Sequence, residues 1–164
     1  DKGIATLQSA IAQYLYVMIS GLTNYMQLLL SDVEKFEKTY FRGQAVAEAF
    51  NLKQLHPLVW INFQLSAAIG YAQFNRPEQV KMILSDFSAV VRKLRLPISL
   101  HGDDYFDQIQ PWLEQLDLGQ QVPRKSQNIQ DELFTIVLEH PVFESYKSEP
   151  FYQEIKTLKE NLNE

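Results

Sequence analysis

The segment His101-Gly102-Asp103-Asp104 holds the densest cluster of chemically active side chains in this chain. It places an imidazole and two carboxylates within four residues, which could begin a metal site or an acid–base pair. The alternative is structural: Asp103 would accept backbone N–H groups at the start of a helix, with Gly102 making the turn. We favour the cap, because the other two histidines are remote in sequence and each precedes a proline.

Sequence motifs of the common enzyme classes are missing from the rest of the chain. We find no G-x-S-x-G, no phosphate-binding glycine loop and no dinucleotide fingerprint, and the six glycines are scattered singly. The chain has no cysteine, so disulfides and thiolate chemistry are excluded. We therefore expect a protein that is not an enzyme, with no catalytic residues, no metal site and no cofactor.

Amide and aromatic side chains in the first half are the candidate ligand-binding groups. An amide such as Asn24, Asn62 or Gln64 can hydrogen-bond a peptide backbone through both its donor and its acceptor. Tyrosine and tryptophan combine an apolar body with a polar tip, which suits a groove for a peptide or an apolar ligand. For each residue the alternative is core packing or a hydrogen bond between helices. We predict Gln27, Asn62 and Tyr71 as ligand-binding residues.

Apolar residues recur at spacings of three and four along the chain, and no segment alternates as a strand would. The pattern predicts an all-α fold of antiparallel helical hairpins, arranged as an irregular repeat or as a helical bundle. We expect one domain over residues 1–164, with loops at 95–103 and 117–126. The predicted helices cover residues 4–19, 22–41, 44–52, 57–74, 77–94, 104–116, 127–139 and 149–162.

The clearest element is a helical hairpin between residues 58 and 94. Its two apolar helix patterns are separated by the turn Asn75-Arg76-Pro77-Glu78. Asn75 is the predicted N-cap of the second helix, Pro77 suits its first turn, and Glu78 would complete a capping box. In the first helix, Gly70 and its alanine neighbours predict close approach by another helix.

The hairpin also carries a recognisable order of side chains. A small residue, Ala68, is followed by an aromatic one, Tyr71, and after the short polar turn come Val80 and Leu84. In this order the hairpin resembles a tetratricopeptide-type repeat, with Asn75 in place of the usual turn glycine. The resemblance implies a tetratricopeptide-like helical module that binds peptides or other proteins.

A second pattern lies near the end of the chain. There a proline followed by an aromatic residue occurs twice before the last helix, in His140-Pro141-Val142-Phe143 and in Ser148-Glu149-Pro150-Phe151. This is similar to the closing helices of many helical-repeat regulators. The two resemblances together imply the C-terminal effector-sensing and dimerisation domain of a bacterial helix-turn-helix transcriptional regulator.

Such a domain would bind a peptide or small-molecule effector, form a homodimer and contact DNA only through an N-terminal domain. The chain begins with Asp1 rather than methionine, from which we expect a preceding domain. Two alternatives remain open. One is a constitutive protein–protein interaction scaffold, and the other is a ligand-binding bundle similar to the sensor half of tetracycline-repressor-type regulators.

Composition limits the class of partner and the compartment. With 164 residues and 46% hydrophobic content the chain can form a substantial core, and its net charge of −5 argues against broad nucleic-acid binding. Residues 4–30 are rich in apolar side chains, but polar residues interrupt them too often for a membrane span. We expect buried or partner-facing helices there, no membrane partner, and a cytoplasmic location.

Overall fold

The computed structural model describes residues 1–94, 98–116 and 126–162. These ranges contain helices, turns and bends but no strand, so the predicted all-α class is confirmed. One 3-10 helix, Pro141–Tyr146, accompanies the α-helices. The α-helices in chain order are α1 Lys2–Leu28, α2 Val33–Ala49, α3 Leu52–Leu55, α4 Pro57–Gln73, α5 Pro77–Lys93, α6 Gln110–Leu113, α7 Ser126–Glu139 and α8 Pro150–Leu162.

Helix α4 lies at the centre of the fold, with α1 packed on one side and α5 on the other. Between Trp60 and Ala72 every residue is buried except Asn62, which is exposed, and Ile69, which is half-buried. A helix that is apolar nearly all round must lie inside the protein. The core is therefore built around α4, and α1 and α5 cover its two sides.

The predicted hairpin is confirmed as α4 and α5, but the predicted cap at its turn is wrong. Asn75 has a φ of 55° and ends α4 instead of starting α5. Its N–H donates to the Ala72 carbonyl at 3.1 Å, and the Arg76 N–H donates to the Tyr71 carbonyl at 2.9 Å. This is the Schellman pattern of a helix C-terminus, which asparagine tolerates better than most residues. Helix α5 begins after Arg76 without a side-chain cap, so there is no capping box with Glu78.

Two predicted helix breaks are also wrong. Helix α1 continues through Gly21 as a single helix, and α2 continues through Gly43 to Ala49. Neither glycine takes a φ in the left-handed region. A Cβ on Gly21 would meet no atom within 4 Å, whereas one on Gly43 would lie 2.5 Å from the Phe63 ring. Gly43 is thus required for helix packing and does not end the helix.

The C-terminal half agrees in part with the prediction. Helices α7 and α8 are confirmed within one residue at each described boundary. The predicted helix over 104–116 is wrong, because the described residues there form bends and turns with one short helix, Gln110–Leu113. The two proline–aromatic pairs have a structural role: Pro141 and Pro150 begin helices, and Phe143 and Phe151 are buried in the core. The predicted loop at 95–103 is confirmed over its described residues, 98–103, which contain no helix. Of the predicted loop at 117–126, residues 117–125 lie outside the described residues and Ser126 begins α7.

Helices α2 and α4 make a reciprocal contact between phenylalanine and glycine. The Phe36 ring of α2 lies against Gly70 of α4, where an added Cβ would be 2.2 Å from the ring. In return, the Phe63 ring of α4 lies against Gly43 of α2. Both rings are fully buried. The close approach predicted for Gly70 is therefore present, and its partner is α2.

We predict that Gly70→Ala lowers the free energy of unfolding by about 1–3 kcal/mol, because the buried Phe36 ring must move to accept the methyl group. Urea denaturation followed by circular dichroism measures the change. The matched control is Gly21→Ala, which should raise the same free energy by up to about 1 kcal/mol because alanine favours an open helix interior. Equal effects of the two substitutions would contradict the packing role of Gly70.

Candidate functional site

An open groove runs between α1 and α4 and holds about 350 Å³. That volume lies at the lower end of the range for small-molecule sites. We call it the amide groove, since three of its side chains are carboxamides. Its lining residues are Ser20, Thr23, Asn24, Gln27, Val59, Asn62, Ser66, Ile69 and Ile136.

Helical spacing explains why these residues come together. Helices α1 and α4 run in the same direction, because Tyr16 contacts His56 at the start of α4 while Gln27 contacts Ser66 further along. On each helix the lining residues recur at intervals of three or four, which places them on one side. On α1 they are residues 20, 23, 24 and 27, and on α4 they are residues 59, 62, 66 and 69.

Two of the three predicted ligand-binding residues, Gln27 and Asn62, lie in this groove, together with Asn24. The third, Tyr71, does not. Its ring is fully buried and packs edge-on against Phe36 and Tyr40 at centroid distances of 5.3 and 5.5 Å. Burial also raises the pKa of the Tyr71 hydroxyl above its usual range. Tyr71 belongs to the core between α2 and α4, on the side of α4 that contacts α2.

Gln64, the third amide considered from the sequence, is also in the core. It is buried, accepts a hydrogen bond from the Tyr40 hydroxyl at 3.0 Å and donates one to Gln44. Both bonds join α4 to α2. Gln64 therefore takes the alternative role of a hydrogen bond between helices, which leaves Asn62 as the α4 amide that lines the groove.

One wall of the groove is fixed by hydrogen bonds. The Gln27 side-chain amide donates to the Ser66 hydroxyl at 2.5 Å, and that hydroxyl donates to the Thr23 carbonyl at 3.0 Å. Within the described part of the chain, the side-chain amides of Asn24 and Asn62 have no hydrogen-bond partner. These two exposed amides can therefore bond a ligand without first breaking a bond inside the protein.

The lining of the amide groove has no charged residue. Two other surface grooves differ in this respect. One, of about 480 Å³, is lined by Asp32, Glu34, Lys35, Lys38 and Arg42 together with Tyr25 and Thr39. The other, of about 530 Å³, lies between α7 and α8 and includes three lysines and two glutamates. An uncharged lining favours a neutral ligand, because a buried charge without a partner costs free energy.

Asp103 accepts backbone N–H groups as predicted, but the residues after it form bends and turns instead of the predicted helix start. The Asp103 carboxylate accepts the N–H groups of Phe106 at 2.7 Å and Tyr105 at 3.1 Å. Gly102 lies so close to the Phe106 carbonyl that a Cβ would be 2.1 Å from it. Across residues 1–94, 98–116 and 126–162, no three His, Asp or Glu side chains are grouped so that they could hold a metal ion.

A second surface feature lies on the outer side of α1, within residues 4–30, where buried or partner-facing helices were expected. Large apolar side chains there remain exposed along the whole helix, and Leu28 reaches 80% exposure. We call this row the α1 seam. It consists of Ile4, Leu7, Ile11, Tyr14, Met18, Gly21, Tyr25 and Leu28. The signal that could have found it is the spacing, which alternates between three and four residues from end to end.

Comparison of the chain with protein families, with curated proteins and with solved structures finds no match. Among the described helices, none combines the length and the hydropathy needed to cross a membrane.

His56 fixes the start of α4 beneath the groove. Its Nδ1 accepts the Val59 N–H at 3.3 Å as the N-cap, and its ring packs edge-on against Tyr16 with centroids 4.8 Å apart. Burial lowers the pKa of His56 below its usual value and raises that of Tyr16 to about 12. Protonation of Nδ1 would also remove the acceptor of the cap.

Burial of His56 makes the free energy of unfolding depend on pH. The unfolded chain binds a proton at His56 more readily than the folded chain does, so the free energy of unfolding should fall as the pH drops from 7 toward 5. His56→Asn keeps a capping group without a titrating ring. We expect a smaller fall in this variant, measured by urea denaturation at a series of pH values. An equal fall in both proteins would contradict the role of His56.

Proposed function

We propose that this chain is an effector-binding domain that takes up a short extended peptide, or a neutral polar molecule of similar size, in the amide groove. The observation that carries the proposal is the convergence of Asn24 and Asn62, both free to form hydrogen bonds, on one uncharged groove. The resemblance of the α4–α5 hairpin to a tetratricopeptide-type repeat supports a regulator in which this domain senses the effector and an attached domain contacts DNA.

A peptide main chain has the chemistry that this lining favours. Its N–H and C=O groups are neutral donors and acceptors, and a carboxamide side chain can bond both kinds. Val59, Ile69 and Ile136 add an apolar surface on which a peptide side chain could pack. A phosphate or carboxylate ligand is disfavoured, because no cation lines the groove.

The length of the groove sets the size of the ligand. From Ser20 to Gln27 the helix rises by about 10 Å, at roughly 1.5 Å per residue. An extended peptide advances by about 3.3 Å per residue, so roughly three residues fit along this distance. The proposed ligand is therefore a short segment instead of a folded partner.

A second candidate function is that of a constitutive interaction scaffold. The α1 seam supports it, because monomeric proteins rarely expose so continuous an apolar surface. The two functions use different sides of α1 and are compatible. The enclosed pocket expected of a tetracycline-repressor-like bundle has less support, since the amide groove is open to solvent.

We predict that pooled tripeptides with acetylated and amidated ends shift the side-chain amide NMR signals of Asn24 and Asn62. Asn62→Ala should weaken binding by about fivefold, the loss expected for one hydrogen bond of about 1 kcal/mol. A titration of the best peptide from the pool measures the change in the dissociation constant.

Gln73→Ala is the matched control, because Gln73 is an exposed amide on α4 that does not line the groove. It should leave the dissociation constant unchanged. The proposal fails if Asn62→Ala and Gln73→Ala bind the peptide equally well, or if the peptides shift signals only outside the groove.

A further inference from the structure

We infer that the α1 seam binds a second copy of this chain, so that two α1 helices pair along their length. This inference does not depend on the amide groove, because none of the seam residues lines that groove. It concerns a row of large apolar side chains that stays exposed along α1. Within this row, the Tyr25 ring has the Lys35 ammonium of α2 above it, 5.9 Å from the ring centroid.

The spacing of the seam is that of a coiled coil. Its eight positions from Ile4 to Leu28 follow one another at intervals of 3, 4, 3, 4, 3, 4 and 3 residues. This is the heptad pattern in which positions a and d face a partner helix. A face that packs on a globular core is broader, and α1 has such a face elsewhere, where Leu15 and Ile19 are buried. The helix therefore has one face for the core and a separate, narrower one for a partner.

Within the seam, side chains at the d positions are more exposed than those at the a positions. The d positions Leu7, Tyr14 and Leu28 are 66%, 74% and 80% exposed, whereas the a positions lie nearer the core. The remaining d position is Gly21, where an added Cβ would meet no atom within 4 Å. Side chains that point this far into solvent contribute little to the monomer. Their apolar character is explained by contact with a partner.

The seam is long enough for an extended helix–helix contact. The helix rises by about 36 Å between its first and last seam residues. The seven apolar side chains along this length are 38–80% exposed. Pairing of two seams would bury the part of each side chain that faces the partner, and each partner in a standard interface contributes about 800 Å².

Charge favours a second copy as the occupant. Lys2 is the only charged residue in α1, although the whole chain has a net charge of −5. The seam residues themselves offer a charged partner helix no complementary charge, and the groove that borders Tyr25 carries charges of both signs. Two copies can meet there without like charges facing each other, and an apolar row that repeats every seven residues is complementary to itself.

Charge also disfavours a membrane surface as the occupant. A helix that lies on a membrane normally has lysine and arginine along its polar face, where they contact anionic lipids. Beyond Lys2, α1 has no basic residue, and the polar positions of its amide groove are neutral. The surface thus fits a protein helix better than a lipid headgroup layer.

Light scattering coupled to size-exclusion chromatography tests the pairing at a series of protein concentrations. We expect the mass of the wild-type chain to reach twice that of one copy. In the double variant Leu7→Glu, Tyr14→Glu, each copy would bring two unpaired carboxylates into an apolar interface in either helix orientation, at a cost of several kcal/mol. The dissociation constant should therefore rise by about a hundredfold or more.

Met82→Glu is the matched control, because Met82 is 56% exposed but lies on α5, outside the seam. It should dimerise like the wild type. Far-UV circular dichroism should show the same helix content in all three proteins, since each substituted side chain is exposed. A wild-type chain that stays monomeric at every concentration would overturn the inference, as would a double variant that dimerises like the control.

Disulfide trapping locates the interface, and the absence of native cysteine gives a clean background. In a parallel dimer Leu7→Cys should cross-link with itself. In an antiparallel dimer with matched heptads, Leu7→Cys should cross-link with Tyr25→Cys when the two variants are mixed. Either result supports the seam and gives its orientation. If neither pair oxidises faster than Met82→Cys does, the seam is not the interface.

Discussion

The reciprocal insertion of Phe36 against Gly70 and of Phe63 against Gly43 is the contact on which the rest of the structure depends. It brings α2 close to α4 and buries that side of α4, including Tyr71. With α5 on another side, the face of α4 that still reaches solvent is the row around Asn62. The position of the amide groove is thus a consequence of how α4 is packed.

The packing of α4 also divides α1 into three faces. One face, with Leu15 and Ile19, is buried in the core. The next, around Gln27, lines the amide groove, and the outermost is the α1 seam. Because a helix has 3.6 residues per turn, these faces do not overlap over most of its length. The same rigid element can therefore hold a ligand on one side and a partner on the other.

Sequence patterns predicted the α4–α5 hairpin well, because its apolar rows are long and a proline marks its turn. They failed where one residue type serves two purposes. A glycine inside a helix can end it or admit a neighbouring side chain, and only the position of Phe63 shows which applies to Gly43. Asn75 likewise suits an N-cap or a left-handed C-terminus, and its φ of 55° decides the matter.

The lining of the amide groove follows from the sequence only in part. Polar amides inside apolar helices single out Gln27 and Asn62, which line the groove, whereas an aromatic residue such as Tyr71 suits a core or a surface until its neighbours are known. Partner-facing helices were expected over residues 4–30, but the predicted break between residues 19 and 22 interrupts the heptad series. That series is evident only in the continuous helix α1.

The central claim is that α1 presents a partner-binding face and a ligand-binding face that act separately. A dilution series of the ¹⁵N-labelled chain, followed by NMR, tests it most directly. We expect dilution to dissociate the dimer. The backbone signals of Leu7, Tyr14 and Leu28 should then shift, while the side-chain amide signals of Gln27 and Asn62 stay constant. Shifts at both faces together, or no shift along the seam, would contradict it.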